Sequence, residues 1–443
     1  MAVAVHLKRR SVVAVGLGTV VLAPYVVGAV HGSLWFSALY FLFGLVIVSY
    51  ALAARRYSRG TARLGLLIVS CSFALTAVDL ISRPLLTDAL YYRPHEMFFI
   101  NPWPDMPSLA RYAKNVSYEG QASGDLAAIS GMTEYRQTRN VIFRTDGFGF
   151  RNDPKARDRI IDVVILGDSF GAGNGTSQDK TWGTILSKRH GLRVYNLSLP
   201  GGPWQELMNL KIEFDRIETQ ERSILLWVIF GGNDLDDDIF HDGLETPDRN
   251  PALRRALVSL SGFRERSPVR QMLRRSIVAR NAAAARGAVV TGNFVNGKRI
   301  LFLRSYADRR DRTVEEIVQL PNYGKLTRVF GEMAEFARSK GVAVAVVLVP
   351  TKAEVYSWVL DGKGPWSADR RPSGVSTAVR EMSQANGFRF LDLKAFLIEE
   401  SKRVFQERGD LLWWYDDTHW NETGHEVVSR IIHEHLLLGM QRM

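Results

Sequence analysis

Residues 163–170 read Val-Val-Ile-Leu-Gly-Asp-Ser-Phe, an apolar run that ends abruptly in a Gly-Asp-Ser turn. A run of aliphatic residues bounded by glycine is typical of a strand buried inside an α/β sheet. A serine in that turn lies at the carboxyl edge of the sheet, where open α/β folds bind their ligands. The stretch therefore predicts a fold class, and it places Ser169 where a site is expected.

Similar apolar runs recur along the chain, and amphipathic stretches separate them. The predicted strands are Ile160–Leu166, Leu192–Leu197, Ser223–Phe230, Val342–Val349 and Phe388–Leu391. The predicted helices between them are Trp182–Lys188, Gln205–Phe214, Leu326–Ser339, Gly374–Asn386 and Ala395–Gln406. This alternation predicts an α/β fold of three layers, α/β/α, around a parallel five-stranded sheet.

Three apolar stretches precede this region, at about residues 11–30, 34–54 and 64–81. Each is close to the roughly 20 residues that a helix needs to cross a bilayer. Lys and Arg residues flank the first stretch and fill the loop between the second and third, which places both flanks in the cytoplasm by the positive-inside rule. We therefore expect residues 1–84 to be a multi-pass anchor in a bacterial inner membrane, with the rest on the periplasmic side. If the first stretch is instead a cleaved signal peptide, that side does not change.

The chain carries a net charge of +11, and residues 1–84 account for seven of these charges. The basic excess thus lies beside the apolar stretches, where membrane topology explains it, so we predict no nucleic-acid partner. The single cysteine, Cys71, excludes intramolecular disulfides and metal sites built from several cysteines.

The remaining chain divides by composition into two parts. Residues 85–159 mix Pro, Gly and polar residues without a long period, and we interpret them as an extracytoplasmic linker or accessory segment that packs on the main domain. Residues 160–443 are predicted to form the catalytic domain. An Arg-rich insertion at about 235–319 interrupts the alternation; it forms a lid, a partner surface or a plain structural excursion.

A serine hydroxyl is a poor nucleophile unless a base removes its proton and a third group orients that base. Residues 416–419 read Asp-Asp-Thr-His and supply both. In a D-x-x-H spacing, the carboxylate of Asp416 can fold back onto Nδ1 of His419 and leave Nε2 free to accept the proton of Ser169. Asp417 is the rival for the orienting position.

Acyl chemistry also needs hydrogen-bond donors aimed at the developing oxyanion. Gly201 follows the second predicted strand, where the absence of a side chain lets a backbone N–H approach a substrate. Asn233 follows the third strand and offers a side-chain amide. Gly167 and Asp168 are expected to support the serine turn through local geometry and hydrogen bonds.

These four blocks, in this order, resemble the SGNH (GDSL-like) hydrolase family. The resemblance implies a flavodoxin-like SGNH domain in which Ser169 is the nucleophile and one oxyanion donor, Gly201 and Asn233 are the other donors, and His419 with Asp416 is the base and its orienter. It implies a serine esterase mechanism with no cofactor and no metal. Residues 349–356, which contain Val-Pro-Thr-Lys, also resemble SGNH domains associated with alginate and other polysaccharide O-acetylation.

The combined expectation is a membrane-anchored esterase or O-acyltransferase with an acyl-serine intermediate. Its expected partners are the lipid bilayer, an acylated carbohydrate or small ester as substrate, and a membrane acyltransferase. Location and family analogy favour acyl groups, acetyl above all, on cell-envelope or exported polysaccharide. The alternative is a non-catalytic glycan-binding or assembly component of a polysaccharide-modification complex.

Overall fold

A computed structural model describes residues 74, 77–83, 85–86, 91–98, 100–102, 109–235, 252, 267–280 and 282–438. The apolar stretches at 11–30 and 34–54 and most of the one at 64–81 lie outside the described residues, as do most of residues 235–266 of the insertion. Among the residues that are described, no helix has both the length and the apolar character that crossing a bilayer requires.

The chain forms two units, residues 1–94 with 255–282 and residues 95–254 with 283–443. In the first unit, Asp79 is fully buried and pairs with Arg83, whose Nη2 lies 2.7 Å from Asp79 Oδ2. The other carboxylate oxygen of Asp79, Oδ1, accepts hydrogen bonds from the Ser267 hydroxyl and the Val269 amide. The carboxylate therefore satisfies donors at the beginning of the helix Pro268–Arg280.

Eleven strands are present in the described residues: β1 Ile100–Pro102, β2 Ala110–Tyr112, β3 Ser117–Ala122, β4 Arg139–Arg144, β5 Ile161–Leu166, β6 Val194–Asn196, β7 Thr219–Phe230, β8 Val289–Asn293, β9 Arg299–Leu303, β10 Ala343–Val349 and β11 Arg389–Asp392. Five of them form one parallel sheet in the order β11-β10-β7-β5-β6. The other six form three antiparallel pairs, β1 with β2, β3 with β4 and β8 with β9.

The α-helices in the described part of the chain are α1 Pro94–Phe98, α2 Asp125–Ser130, α3 Ser169–Ala172, α4 Trp182–His190, α5 Pro203–Glu213, α6 Pro268–Arg280, α7 Ala282–Gly287, α8 Arg304–Arg309, α9 Val314–Val318, α10 Tyr323–Lys340, α11 Lys352–Val355, α12 Ser357–Leu360, α13 Gly374–Ala385, α14 Lys394–Arg408 and α15 Glu422–Ile432. Every predicted strand and helix of the α/β region is observed, with ends that differ by a few residues. The predicted three-layer α/β fold with a five-stranded parallel sheet is confirmed.

The two faces of the sheet separate because successive side chains of a strand point to opposite sides. Val163 and Ile165 of β5 pack with α4, α14 and α15, whereas Val164 and Leu166 pack with α5, α10 and α13. Both faces are thus buried under helices, which explains why the last four residues of β5, residues 163–166, are all apolar. The carboxyl ends of β5, β6 and β7 meet at one edge, and the site is built there.

The segment before β5 is attached to the α/β core through buried charges. Glu213 at the end of α5 has no exposed surface, and its two carboxylate oxygens each lie 2.6 Å from a guanidinium nitrogen, one of Arg111 in β2 and one of Arg157. Arg111 also donates to Asn209 Oδ1 and stacks on the Phe150 ring. Residues 109–159 are therefore held by specific contacts that a loosely attached linker would not have.

We expect Glu213→Ala to lower the free energy of unfolding by about 3 to 5 kcal/mol, because it leaves the buried guanidinium of Arg111 without its carboxylate. Lys211→Ala in the same helix removes only the surface pair with Glu332 and should change stability by less than about 1 kcal/mol. Urea unfolding of the full chain, followed by tryptophan fluorescence, measures both. Equal effects of the two substitutions would show that the buried pair does not hold the segment.

Candidate active site

The turn that carries Ser169 is shaped by its two preceding residues. Asp168 caps α3 through Oδ1, which accepts a hydrogen bond of 2.8 Å from the Phe170 amide. A Cβ at position 167 would lie 2.7 Å from Cβ of Val228 in the neighbouring strand, so only glycine fits there. Ser169 consequently begins a short helix directly beyond the sheet, as the sequence predicted.

His419 meets this serine from a loop 250 residues further along the chain. Its Nε2 lies 2.8 Å from Ser169 Oγ, within hydrogen-bond distance. The imidazole ring stacks on Phe170, with ring centroids 4.8 Å apart, and Phe170 in turn packs against Trp420. The two predicted residues are thus brought together in the geometry that proton transfer from a serine requires.

Asp417, and not the predicted Asp416, takes the orienting position. Asp417 Oδ1 lies 3.0 Å from His419 Nδ1 and accepts a second hydrogen bond from the His419 amide. A hydrogen bond from Nδ1 leaves Nε2 as the acceptor toward Ser169. The prediction from D-x-x-H spacing was therefore wrong in this detail, because the loop turns so that the nearer carboxylate faces the ring.

Asp416 instead anchors the loop. Its Oδ2 accepts hydrogen bonds from the amides of Gly124, at 3.0 Å, and Gln137, at 2.8 Å. Its backbone carbonyl accepts from the amides of Leu126 and Ala127 at the start of α2. Burial, together with the nearby Asp417, raises the pKa of the Asp416 carboxyl. The side chain is fully buried, so these bonds connect residues 109–159 to the loop that carries the base.

Arg139 of β4 is a site residue that the sequence did not reveal. Its Nη2 donates to Asp417 Oδ2, its Nε donates to the Gly175 carbonyl, and its guanidinium lies over the Trp414 ring. Asp417 is fully buried, and a buried carboxylate remains ionised at low cost only when a cation pairs with it. A lone arginine in a polar segment gives no local pattern, since its partner lies 278 residues away.

Lys352 binds the backbone of the same loop. Its Nζ donates to the carbonyls of Trp414, Tyr415 and Asp417, at 2.7, 3.1 and 3.1 Å. An ammonium group has three donors, so this side chain is saturated by the loop. Burial lowers the pKa of Lys352 to about 7, although Asp416, Asp417 and Asp125 act in the opposite direction.

The two further predicted oxyanion donors lie in loops on either side of the serine turn. Gly201 follows β6 and Asn233 follows β7, and these strands flank β5 in the sheet. The Leu199 amide donates to the Gly167 carbonyl, which ties the first of these loops to the serine turn. Asn233 Oδ1 is buried and has no hydrogen-bond partner among the described residues.

One group in the described residues has the spacing of a metal site, namely Asp125, Asp417 and His419, whose ligand atoms lie within 4.8 Å of one another. Asp417 already binds Arg139, and His419 already binds Ser169. A cation here would compete with the hydrogen bond at Nδ1 that orients the ring. We therefore interpret the group as a hydrogen-bond network around the base.

Substitutions at Asp417 and at Asp416 should have different effects on catalysis. We expect Asp417→Asn to lower kcat about a thousandfold, because the amide neither holds the Nδ1 tautomer nor carries charge. Asp416→Asn keeps an oxygen that accepts from Gly124 and Gln137 and should retain kcat within about tenfold. Steady-state hydrolysis of p-nitrophenyl acetate measures both, and a larger loss in Asp416→Asn would restore the D-x-x-H assignment.

Lys352 should make stability depend on pH. The unfolded chain keeps this proton up to the ordinary value of 10.5, whereas the folded protein releases it at about 7. The folded state therefore gains stability from this group as pH rises between those values, by about 1.4 kcal/mol per pH unit. Lys352→Met removes the gain, so its unfolding free energy should fall further below that of the wild type at pH 9 than at pH 7.

Urea unfolding at the two pH values gives this difference, and Lys363→Met, at an exposed lysine, serves as the control. A Lys352→Met deficit that is the same at both pH values would contradict the buried, readily deprotonated state of the lysine.

The sequence matches one family model, and two solved structures are similar to the chain at low identity. Residues 163–432 match the family GDSL-like Lipase/Acylhydrolase. A member of the lipolytic protein G-D-S-L family from Veillonella parvula DSM 2008 is a similar solved structure, with 11% identity and a TM-score of 0.32 over 64% of this chain and 100% of that chain. The psychrotrophic esterase EstA from Pseudoalteromonas sp. is similar with 12% identity and a TM-score of 0.31, over 63% and 98%. No curated protein matches. The chain belongs to the GDSL-like lipase/acylhydrolase family and is an SGNH hydrolase that acts on esters.

Proposed function

We propose that the enzyme transfers acyl groups from esters through an acylated Ser169. The observation that carries the proposal is the continuous chain of contacts from Ser169 Oγ through both nitrogens of His419 to Asp417, with distances of 2.8 and 3.0 Å. A serine beside an imidazole that is oriented by a carboxylate is the arrangement that activates a hydroxyl for acyl transfer.

In the acylation step, Ser169 Oγ attacks the ester carbonyl while His419 Nε2 takes its proton. Negative charge collects on the carbonyl oxygen, which the amides of Gly201 and Asn233 and the backbone N–H of Ser169 are proposed to bind. The C–O bond of the ester then breaks, and His419 returns the proton to the departing alcohol. The products are an acyl-serine and the free alcohol.

In the second step, an acceptor hydroxyl gives its proton to His419 and attacks the acyl carbon. The bond from this carbon to Ser169 Oγ then breaks, and His419 returns the proton to Ser169. Water as acceptor gives a carboxylic acid and completes hydrolysis, whereas a sugar hydroxyl gives a new ester and completes transfer. Both reactions use the same groups, so access of acceptors to Ser169 decides between them. Residues 236–251 and 253–266, beyond the loop of Asn233, are outside the described residues.

We further propose that the enzyme is anchored in a bacterial inner membrane and faces the periplasm, with O-acyl groups of envelope or exported polysaccharide, acetyl above all, as its substrates. Support comes from the three apolar stretches before residue 84 and from their basic flanks. A membrane acyltransferase is the proposed partner that supplies acyl groups where the reaction is transfer.

The test compares the full chain with Ser169→Ala on p-nitrophenyl acetate and on an O-acetylated oligosaccharide. We expect the substitution to abolish turnover of both esters and to remove an acetyl adduct that mass spectrometry detects on Ser169 after a rapid acid quench. Addition of a deacetylated oligosaccharide should divert acetyl groups from water to sugar if transfer is the physiological reaction.

Thr184→Ala is a suitable control, because this residue lies in α4 and touches Thr181 rather than the serine turn. The proposal is wrong if folded wild-type protein hydrolyses neither ester and forms no adduct. Binding of the oligosaccharide by such a protein would favour a glycan-binding component instead.

A further inference from the structure

Thr418, the residue between Asp417 and His419, makes contacts of its own with the base. Its Oγ1 lies 3.0 Å from His419 Nδ1, on the same nitrogen that faces Asp417. The same Oγ1 donates a hydrogen bond to Asp125 Oδ2, and the Thr418 amide donates to Asp125 Oδ1 at 2.9 Å. Asp125 therefore holds Thr418 through both of its carboxylate oxygens.

The position of one proton follows from these contacts. A hydroxyl group has a single proton to donate. Because Thr418 Oγ1 gives its proton to the Asp125 carboxylate, only its lone pairs remain for His419 Nδ1, which must then be the donor. The Thr418 hydroxyl and Asp417 thus favour the same imidazole tautomer, in which the proton is on Nδ1 and Nε2 accepts from Ser169.

Asp125 reaches this position because the start of α2 packs directly against the loop that carries His419. A Cβ at position 124 would lie 2.0 Å from the Asp416 carbonyl oxygen, an approach that only glycine permits. Asp125 follows as the first residue of α2, and its Oδ2 comes within 3.7 Å of His419 Nδ1. Its side chain is 12% exposed, so its charge acts on the ring with little screening by water.

We propose that Asp125, acting through Thr418, is a second positioning residue for His419 in parallel with Asp417. It comes from outside residues 163–432, the span that matches the family. The inference rests on the proposed function, in which His419 is the base. Asp417 orients the ring directly, and the Thr418–Asp125 branch fixes the same tautomer and adds negative charge beside the imidazolium that forms during the reaction.

The test uses four variants of the full chain: Asp125→Asn, Thr418→Val, their combination, and Thr418→Ser, which keeps the hydroxyl. Asp125→Asn and Thr418→Val should each lower kcat roughly tenfold or more with little change in KM, whereas Thr418→Ser should stay close to the wild type. The double variant should lose no more than the worse single one, because both substitutions break the same branch.

The pH–rate profile separates positioning from a structural tie. In the described part of the chain, the charged or titratable groups near His419 include Asp417, Asp168 before α3 and His425 in α15, together with Arg139 in β4 and Lys352 in α11, which bind Asp417. With these unchanged, loss of the Asp125 charge disfavours the imidazolium, so the acid limb of kcat/KM in Asp125→Asn should move to lower pH. An unmoved limb, or losses that multiply in the double variant, would overturn the proposal.

A readout that is independent of turnover keeps this inference distinct from the proposed function. The chain has nine histidines, and NMR of the protein labelled with ¹⁵N-histidine, with His419→Gln to assign the signal, reports which ring nitrogen carries the proton. We expect Nδ1–H in the wild type and a mixture of tautomers in Thr418→Val. If the wild type does not hydrolyse esters but Thr418→Val still shows the mixture of tautomers, the esterase proposal alone is refuted. If Thr418→Val keeps the wild-type tautomer, the role of Asp125 is refuted.

Discussion

The site depends on one constraint: the loop that carries His419 must be held against the serine turn. This loop contains no helix, and its only strand-like pairing is a single bridge between Trp413 and Trp420. Backbone groups in such a loop need partners from elsewhere. Lys352 binds three of its carbonyls, and Asp416 binds four amides through its side chain and its own carbonyl. The distance of 2.8 Å between base and serine is the result of these bonds.

Most of those partners come from outside the five-stranded core. The segment before β5 provides Asp125, Gln137 and Arg139. The hairpin β8–β9 adds the Leu301 amide, which donates to the Tyr415 carbonyl at 2.8 Å. This hairpin belongs to the insertion at 235–319. The described part of the insertion therefore binds the loop that carries His419. The added segments are structural parts of the candidate site, and residues 163–432, which match the family, do not contain the guanidinium of Arg139 that pairs with Asp417.

Local patterns in the sequence were sufficient for the sheet, because the buried parts of its parallel strands are mostly apolar runs. They were also sufficient for Ser169 and His419, whose motifs end a strand and precede a helix. Strand β3, by contrast, alternates exposed and half-buried residues and left no apolar run to recognise. The choice between Asp416 and Asp417 depended on Gly124, 292 residues earlier, and no spacing rule within the loop contains that information.

The charges around the base explain why the carboxylates cannot share one role. Burial raises the pKa of Asp168 to about 6, and burial together with the neighbouring Asp417 raises the pKa of Asp416, whose Oδ1 lies 3.8 Å from Arg139 Nη1. Asp417 is buried as deeply, but it has the guanidinium of Arg139 on its second oxygen. A carboxylate that must stabilise a transient imidazolium has to stay ionised throughout the reaction. The arginine donates a hydrogen bond to Asp417 and only approaches Asp416, which favours Asp417 for that task in the proposed mechanism, while the bonds of Asp416 to backbone amides fix the loop.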